Sequence, residues 1–420
     1  MSRAPFSKKF ETILKKNHQI NNNMDITQNS SEREAEQTKQ SQQLNTLFQT
    51  LKELPTRLFG SPCVLYKHEI LICGGWDKRT CYSYHTIKNE YKFICEYPSD
   101  IQLNGHCVVK LVDNNNKHSN QITLLSFGSD RYGRDKHTLV MKYVSVWSNI
   151  SNKLNKSNEF NNYNQWVPFT DNHNNPIIIG RYQDIYEGAR AVISGSNNHL
   201  LFITYQTNNI SVFNLNTFQF SKHYFLPNTY ISYHCFVLNP KNGQDIMKTN
   251  EEKKQNYQML LFCKKIGLLI EYDEDSNNFQ FHKLHVCDDI TSFKYYAYVC
   301  IDDAILFFGG YGNDVSKSVL KYSIQENKWT IFQSTLPSQL HTCAAILSTE
   351  DNYIHIIGGK DYKHASVSTH MKTKVHAWSP SPLAKKEIKY IIEYWIRTSE
   401  IKLGWIDDFD QIIIKYSKMN

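Results

Sequence analysis

The sequence lacks the short motifs that mark many enzymes and metal proteins. It contains no GxGxxG, GxxxxGK[ST], HExxH or GxSxG motif. Its ten cysteines include no CxxC pair, so neither a zinc ribbon nor a dithiol redox site is indicated. No apolar run approaches the ~18 residues of a membrane-spanning helix. We therefore expect no catalytic residues, no metal, no cofactor and no membrane association.

A strong charge imbalance is also lacking. Lys and Arg number 47 against 40 Asp and Glu, a net charge of +7 that is too mild to predict nucleic-acid binding. Residues 1–20 hold no continuous apolar segment, so no secretory signal is predicted, although a short basic helix of a transit peptide is a less favoured alternative. Most cysteines lie in apolar runs, as is typical of buried, reduced thiols. The prediction is a cytoplasmic protein.

The composition divides the chain into three parts. Residues 1–46 are polar and low in large apolar side chains, which predicts a disordered tail. Residues 47–378 consist of short β-branched and aromatic runs separated by turn residues, which predicts an all-β domain. Residues 383–420 carry apolar side chains at helical spacing around Gly404, which predicts a helical hairpin. The apolar faces of this hairpin are expected to pack on each other and the β domain, or to bind a partner.

Three markers recur six times within the β region. The clearest is an apolar strand that ends in two glycines, at 70–75, 305–310 and 354–359, with degenerate copies at 124–129, 200–205 and 259–265. A short strand precedes each copy, and two aromatics seven residues apart, such as Tyr322 and Trp329, follow most copies. The short strands begin 44 residues apart from Pro62 to His106 and from Arg190 to His234. Such regularity predicts a repeat architecture.

This order of markers resembles the kelch repeat, a unit that forms one four-stranded blade of a β-propeller of the galactose-oxidase-like type. The resemblance covers about residues 48–378. It is weaker in the third and fourth units along the chain, at 200–205 and 259–265, which lack the glycine doublet. It is also weaker in the second unit, where an insertion separates Trp166 from the third strand. The resemblance implies an all-β, six-bladed kelch-type propeller over residues 47–378. A β-sandwich with chance glycine pairs is the alternative.

The repeat marks are interpreted as structural. Glycine tolerates positive φ and close backbone approach, which we expect near the crowded propeller axis. Large aromatics each bury about 150–250 Å² and are expected between neighbouring blades. The residues assigned to these two roles are Gly74, Gly75, Gly128, Gly309, Gly310, Gly358, Gly359, Tyr91, Trp166, Phe220, Phe279 and Trp329.

The sixth unit has no outer strand of its own, because a Ser-Pro-Ser-Pro sequence at 379–382 interrupts it. Residues 47–51 imitate an outer strand and are followed by Leu54-Pro55, much as the outer strand of the fifth unit is followed by Leu336-Pro337. We therefore expect the strand at 47–51 to complete the last blade and to remove an exposed sheet edge.

The loops predict which face binds a partner. In an antiparallel blade, turns after the first and third strands share one face, and the insertions at 113–120, 149–164 and 239–258 all fall there. The opposite face keeps shorter, mostly basic loops with two aromatics, a composition typical of interface cores. The candidate partner-binding residues are Trp76, Lys78, Arg79, Arg131, Tyr132, Arg134, Lys136, Lys360 and Lys363. We expect an acidic protein segment there; the alternative is a solvated basic rim.

These features favour a non-catalytic protein–protein interaction scaffold or adaptor. The kelch resemblance implies substrate recruitment for ubiquitin ligation or actin binding, and it leaves open a cytoskeletal protein or a propeller enzyme similar to copper radical oxidases. His364, His370 and His376 recur every six residues, too far apart along a strand for one metal ion, and are expected to face solvent.

Overall fold

The computed structural model describes residues 47–112, 120–148, 163–227, 230–240 and 256–378. The predicted tail (1–46) and the predicted helical hairpin (383–420) lie outside these residues. The chain forms two compact units, Met1–Thr373 and Lys374–Asn420. The β-propeller belongs to the first unit.

Six four-stranded antiparallel sheets form the blades of a six-bladed β-propeller. Blade 1 contains β2 (Cys63–Tyr66), β3 (Glu69–Gly75), β4 (Lys78–His85) and β5 (Glu90–Glu96). Blade 2 contains β6 (Cys107–Leu111), β7 (Gln121–Gly128), β8 (His137–Val144) and β9 (Val167–Pro168). Blade 3 contains β10 (Arg190–Ser194), β11 (Leu200–Tyr205), β12 (Asn209–Asn214) and β13 (Gln219–Phe225).

The second half of the ring repeats this pattern. Blade 4 contains β14 (Cys235–Leu238), β15 (Asn256–Cys263), β16 (Ile266–Asp273) and β17 (Asn278–Lys283). Blade 5 contains β18 (Ala297–Ile301), β19 (Ala304–Phe308), β20 (Val319–Ser323) and β21 (Lys328–Ile331). Blade 6 contains β22 (Ala344–Ser348), β23 (Tyr353–Ile357), β24 (His370–Lys374) and β1 (Phe48–Thr50). A short helix α1 (Asp288–Thr291) precedes blade 5, and a 3-10 helix (Val375–Ala377) follows β24.

The second strands are the most buried part of each blade. Every residue of β3, β11 and β19 is buried, because both faces of these strands pack against neighbouring blades. Outer strands such as β13 and β21 are largely exposed. This difference explains why the second strands read in the sequence as continuous apolar runs rather than as alternating patterns.

The marker aromatics lie between blades, each packed toward the blade before its own. Tyr91 of blade 1 packs with Ile357 of blade 6, and Trp166 of blade 2 packs with the apolar side chains of blade 1. Phe220, Phe279 and Trp329 take the corresponding places at the next three interfaces. Trp166 stacks on Tyr97 with ring centroids 4.7 Å apart. These contacts bury apolar surface in every one of these blade interfaces.

The ring closes through strand β1. Phe48, Gln49 and Thr50 pair with Thr373, Lys372 and Met371 of β24. The Leu51 amide then donates to the His370 carbonyl at 2.9 Å. The Phe48 side chain is buried, whereas Gln49 and Thr50 are exposed. The N-terminal strand therefore supplies the outer edge that the last blade needs.

The glycine doublets are required for a reason that differs in part from the sequence interpretation. Gly309 and Gly358 have φ angles of +64° and +60°. A Cβ at Gly309 would meet the Leu340 carbonyl oxygen, and one at Gly358 would meet the Leu58 carbonyl oxygen. Both carbonyls belong to the connection that leaves the glycine's own blade for the next. The crowding therefore comes from these connections and not from the propeller axis.

Backbone hydrogen bonds join several neighbouring blades around the central channel. Just before the first strand of each blade stands a residue with left-handed φ: Gly60, Gly105, Gly188, Tyr233, Tyr295 and Thr342. Four of the six neighbouring pairs are bonded amide to carbonyl: Gly60 to Thr342 (2.9 Å), Thr342 to Tyr295 (2.6 Å), Tyr233 to Gly188 (3.1 Å) and Gly188 to Gly105 (2.9 Å). These bonds link neighbouring blades directly at the channel.

Candidate functional site

The arginine loop, Asp130–Arg134, joins β7 to β8 and has a fixed backbone. Asp130 Oδ1 accepts the amides of Tyr132 (2.9 Å) and Arg134 (2.6 Å), and the Asp130 amide donates to the Arg134 carbonyl (2.9 Å). Gly133 takes the left-handed conformation that the loop requires, with φ +78°. The side chains of Arg131, Tyr132 and Arg134 are exposed on this framework.

The exposed aromatic of this loop lies against two cations. Tyr132 is 58% exposed, and the guanidinium carbons of Arg131 and Arg134 lie 4.9 and 5.1 Å from its ring centroid. Such cation–π contacts hold the three side chains together as one unit. Neither guanidinium forms an ion pair within the described residues, so both remain available to a carboxylate.

The same loop geometry recurs in blade 6. Asp361 Oδ1 accepts the amides of Lys363 and Ala365, both at 2.9 Å, and His364 takes the left-handed position with φ +59°. Lys363 Nζ lies 5.4 Å from the centroid of the exposed Tyr362 ring. Blades 2 and 6, on either side of blade 1, therefore each present a cation–aromatic pair on a fixed loop.

Blade 1 places a third such cluster between them. Trp76, in the turn between β3 and β4, stacks on Phe59 with ring centroids 5.6 Å apart. Lys360 Nζ lies 4.0 Å from the Phe59 centroid. The Trp76 amide donates to the Phe59 carbonyl at 3.0 Å, which fixes this stack to the connection between blades 6 and 1.

Three of the sequence-predicted residues take places other than a free loop. Lys78 and Arg79 are the first residues of β4, and the Arg79 carbonyl accepts the Tyr97 amide at 2.9 Å. Lys136 Nζ donates to the Gly133 and Tyr182 carbonyls, and burial lowers the pKa of its ammonium group. Lys136 therefore ties the arginine loop to the connection at Tyr182.

The sequence interpretation expects short loops on the face that carries these clusters, but this face also holds long segments. The loops after second strands share it with the connections between blades, which reach 21 residues at 169–189. We call it the connection face. The short-loop expectation counts only the loops after the apolar strands, and the longer connections after the fourth strands lie on the same face.

The central channel holds a cavity of about 230 Å³ near the connection face. Its wall is formed by the residues that lead into the first strands, including Gly60, Gly105, Tyr295 and Thr342. Tyr233 is buried and lies over Gly105 and Gly188, where a Cβ on either glycine would meet its ring or hydroxyl. The glycines of blades 2 and 3 thus make room for an aromatic from blade 4.

Imidazole and phenol rings cluster next to Tyr295, a residue of the cavity wall. His341 Nε2 and His364 Nδ1 are 3.1 Å apart, and the Tyr311 ring lies 5.4 Å from His341 and 5.1 Å from His364. Burial, with the charges of His364 and Lys360, lowers the pKa of His341 to about 4. Beside Tyr233, another residue of the cavity wall, burial raises the pKa of the Glu187 carboxyl, which accepts a hydrogen bond from Tyr233 at 3.4 Å.

The sequence pattern assigns Arg190, a charged residue of this cavity, only to a strand. Arg190 begins β10 and lines the channel cavity. A single-sequence pattern indicates that Arg190 lies on a strand but not that its side chain lines the channel. The only available signal was a cation within an otherwise apolar strand, Arg190-Ala191-Val192.

The histidines at six-residue intervals separate into different environments. His364 and His376 are exposed, but His370 is buried, so the expectation that all three face solvent is wrong for His370. His370 Nε2 lies 2.9 Å from His355 Nδ1, and His370 Nδ1 is hydrogen-bonded to the Tyr91 hydroxyl. His370 belongs to β24, whose inward residues pack on blade 1, and burial lowers its pKa well below the usual range.

A second cavity of about 320 Å³ lies between blades 1 and 2 on the opposite face. Its wall includes His68, His85, Trp147 and the buried Glu69, whose Oε2 accepts hydrogen bonds from Ser83 (2.7 Å) and from Tyr143. Trp147 Nε1 donates to Ser83 Oγ at 2.9 Å, which extends this network. No group of three His, Cys, Asp or Glu side chains that could hold a metal ion occurs in the described residues.

Comparison with known proteins adds little beyond the fold. No family model matches the chain, and no curated protein matches it. Among solved structures, the chain is similar to one titled "Structure of YjhT", with a TM-score of 0.49 and 12% sequence identity over 76% of this chain and 95% of that chain. Within the described part of the chain, no helix is long and apolar enough to cross a membrane. The chain is a six-bladed β-propeller, and its kelch-type character stays a prediction.

Proposed function

We propose that this protein is a non-catalytic interaction scaffold whose kelch-type propeller binds an acidic protein segment on the connection face. The observation that carries the proposal is the arginine loop, where Arg131 and Arg134 flank the exposed ring of Tyr132. Arginine and tyrosine are enriched among the residues that dominate protein interfaces.

The fixed loops support this role energetically. Binding costs free energy when loops and side chains become ordered. The Asp130 and Asp361 hydrogen bonds already order the two loops, and the cation–π contacts restrict their side chains. Less of the interaction energy is therefore lost on association, and a partner carboxylate meets guanidinium groups that are already in position.

The clusters of blades 6, 1 and 2 define the segment that fits. Each combines a cation with an aromatic ring, so the complementary chain carries Asp or Glu together with apolar side chains. The exposed charges are screened by salt, and the affinity should fall as ionic strength rises. We extend the proposal to a cytoplasmic adaptor without nucleic-acid or membrane partners; a second partner for residues 383–420 stays a prediction.

A peptide-display selection on the purified protein tests the proposal. We expect acidic sequences with interspersed apolar residues to be enriched, and their binding to weaken with added salt. The double variant Arg131→Glu/Arg134→Glu should lose at least about tenfold in affinity, since two charge-assisted contacts are reversed in sign.

The matched control is Lys283→Glu/Lys328→Glu, which makes the same charge change at exposed positions on the outer strands of blades 4 and 5. This control should bind the selected peptides as the parent does, and both variants should keep the parent's melting temperature. Enrichment of peptides without acidic residues, or equal loss in both variants, would contradict the proposal.

A further inference from the structure

Arg190 breaks the pattern that the other blades show at the channel. Counted from the left-handed residue before each first strand, its counterparts are Cys107, Cys235, Ala297 and Ala344 in blades 2, 4, 5 and 6. These are small side chains. Blade 3 alone among these five places a long cationic side chain at the equivalent position.

The surroundings of Arg190 leave its charge uncompensated. One guanidinium N–H donates to the Ala189 carbonyl at 2.9 Å, and the guanidinium carbon lies 5.8 Å from the Tyr233 ring centroid. Its other N–H groups have no acceptor among the described residues, and no carboxylate there forms an ion pair with it. Burial raises the pKa of Cys107 and of Tyr298, two residues of the cavity wall, and the positive charge of Arg190 partly offsets that rise.

An anion that enters the cavity would stabilise this half-buried cation, because it would accept the N–H groups that the described residues leave unused. Partial removal of a charge from water costs free energy, and a paired, hydrogen-bonded anion offsets that cost. The planar guanidinium matches a carboxylate, which it can bind through two parallel N–H···O bonds. A carboxylate carries one negative charge against the single positive charge of Arg190, whereas a phosphate would leave excess negative charge in the cavity.

We propose that the channel cavity is a binding site for a carboxylate group, held by Arg190, with the apolar part of the ligand against the channel wall. The wall supplies the methyl groups of Ala297 and Ala344 and the ring of Tyr295. This site is separate from the arginine loop and does not rest on the proposed function. A free small acid and an acidic side chain of a partner present the same chemistry.

The test compares benzoate with benzamide, a neutral molecule of nearly the same shape, by calorimetric titration and by the shift in melting temperature. Benzoate should bind and raise the melting temperature, because a ligand that binds only the folded state stabilises it. Benzamide should do neither. Arg190→Gln should bind benzoate at least about tenfold more weakly, since it loses a charged hydrogen-bonding group.

The variants also separate a ligand site from a structural role. Without ligand, Arg190→Gln should melt at the same temperature as the parent or higher, because it removes an uncompensated charge; a structural arginine would give a lower value. Arg190→Lys should keep part of the benzoate response, and Arg131→Glu/Arg134→Glu should keep all of it.

A second comparison, with acidic peptides, shows whether the carboxylate belongs to a free small acid or to a partner chain. If benzoate does not bind but acidic peptides lose affinity for Arg190→Gln, the carboxylate comes from a partner chain and the site still stands. Equal effects of benzoate and benzamide, or failure of both benzoate and acidic peptides to distinguish Arg190→Gln from the parent, would overturn the inference.

Discussion

At the scale of single residues, two glycines with left-handed φ separate backbone strain from steric overlap. Gly60 and Gly309 have φ angles of +61° and +64°. A Cβ on Gly60 would have Thr342 Cγ2 at 3.7 Å as its nearest neighbour, an ordinary contact. A Cβ on Gly309 would overlap the Leu340 carbonyl oxygen, which itself accepts the Gly310 amide at 2.9 Å.

We therefore expect Gly60→Ala to lower the free energy of unfolding by about 1 kcal/mol, the cost of a left-handed L-residue. Gly309→Ala should cost about 3 kcal/mol, because the overlap adds to that strain. Chemical denaturation of both variants measures the difference. If the two substitutions cost the same, the Leu340 contact does not explain the doublet.

Single residues also mark the limit of prediction from sequence. The doublets at Gly309 and Gly358 were recognisable because glycine is rare in buried strands, but the carbonyls that crowd them come from connections far along the chain. Arg190 was visible as a charge in an apolar strand, yet its lack of an acidic neighbour depends on which blades surround it. Pairwise proximity of this kind is not encoded in the repeat pattern.

At the scale of elements, strand β1 is the part on which closure of the ring depends. It contributes three backbone pairs to β24 and one buried side chain, Phe48, while Glu53 Oε2 accepts a hydrogen bond from Ser368 Oγ at 2.7 Å just beyond it. Its position was predictable because blade 6 lacked an outer strand and an orphan strand stood at the other end of the repeats.

Phe48→Ala should destabilise the propeller by about 3 kcal/mol, as is typical of a buried Phe truncation, whereas Gln49→Ala in the same strand should have little effect because that side chain is exposed. Thermal unfolding of the two variants measures the contrast.

A deletion of residues 1–44 should melt as the full chain does, and one of residues 1–52 should melt lower. Equal stability of the two deletions would mean that β1 does not hold blade 6.

At the scale of the whole molecule, the fold was predictable because six copies of one unit repeat the same markers. The burial of individual polar residues was harder to predict: the sequence pattern indicates that His370 faces solvent, but its ring is buried against Tyr84 and Tyr91 of blade 1. His106, His137 and His355 are buried too, each at most 2% exposed. Together these residues place several titratable rings inside the blade interfaces.

These histidines make the stability of the propeller depend on pH. Burial lowers the pKa of His106 and His355 to about 4, and burial with the charge of His106 lowers the pKa of His137 to about 3. In the unfolded chain each titrates near the ordinary value of about 6.5. Between about pH 6.5 and pH 4 the unfolded state therefore binds more protons than the folded state, and stability is lost as the pH falls.

We expect the free energy of unfolding to drop by at least about 4 kcal/mol from pH 7 to pH 5.5, because each of these three histidines contributes about 1.2 kcal/mol and the lowered pKa values of His341 and His370 act in the same direction. Most carboxyl groups titrate below this range, so their contribution is small. Denaturant unfolding at the two pH values measures the drop. Calorimetry at pH 5.5 in two buffers of different ionisation enthalpy should show an uptake of several protons on unfolding. A pH-independent free energy, or unfolding without proton uptake, would mean that these rings are protonated in the folded protein and that the blade interfaces admit charge.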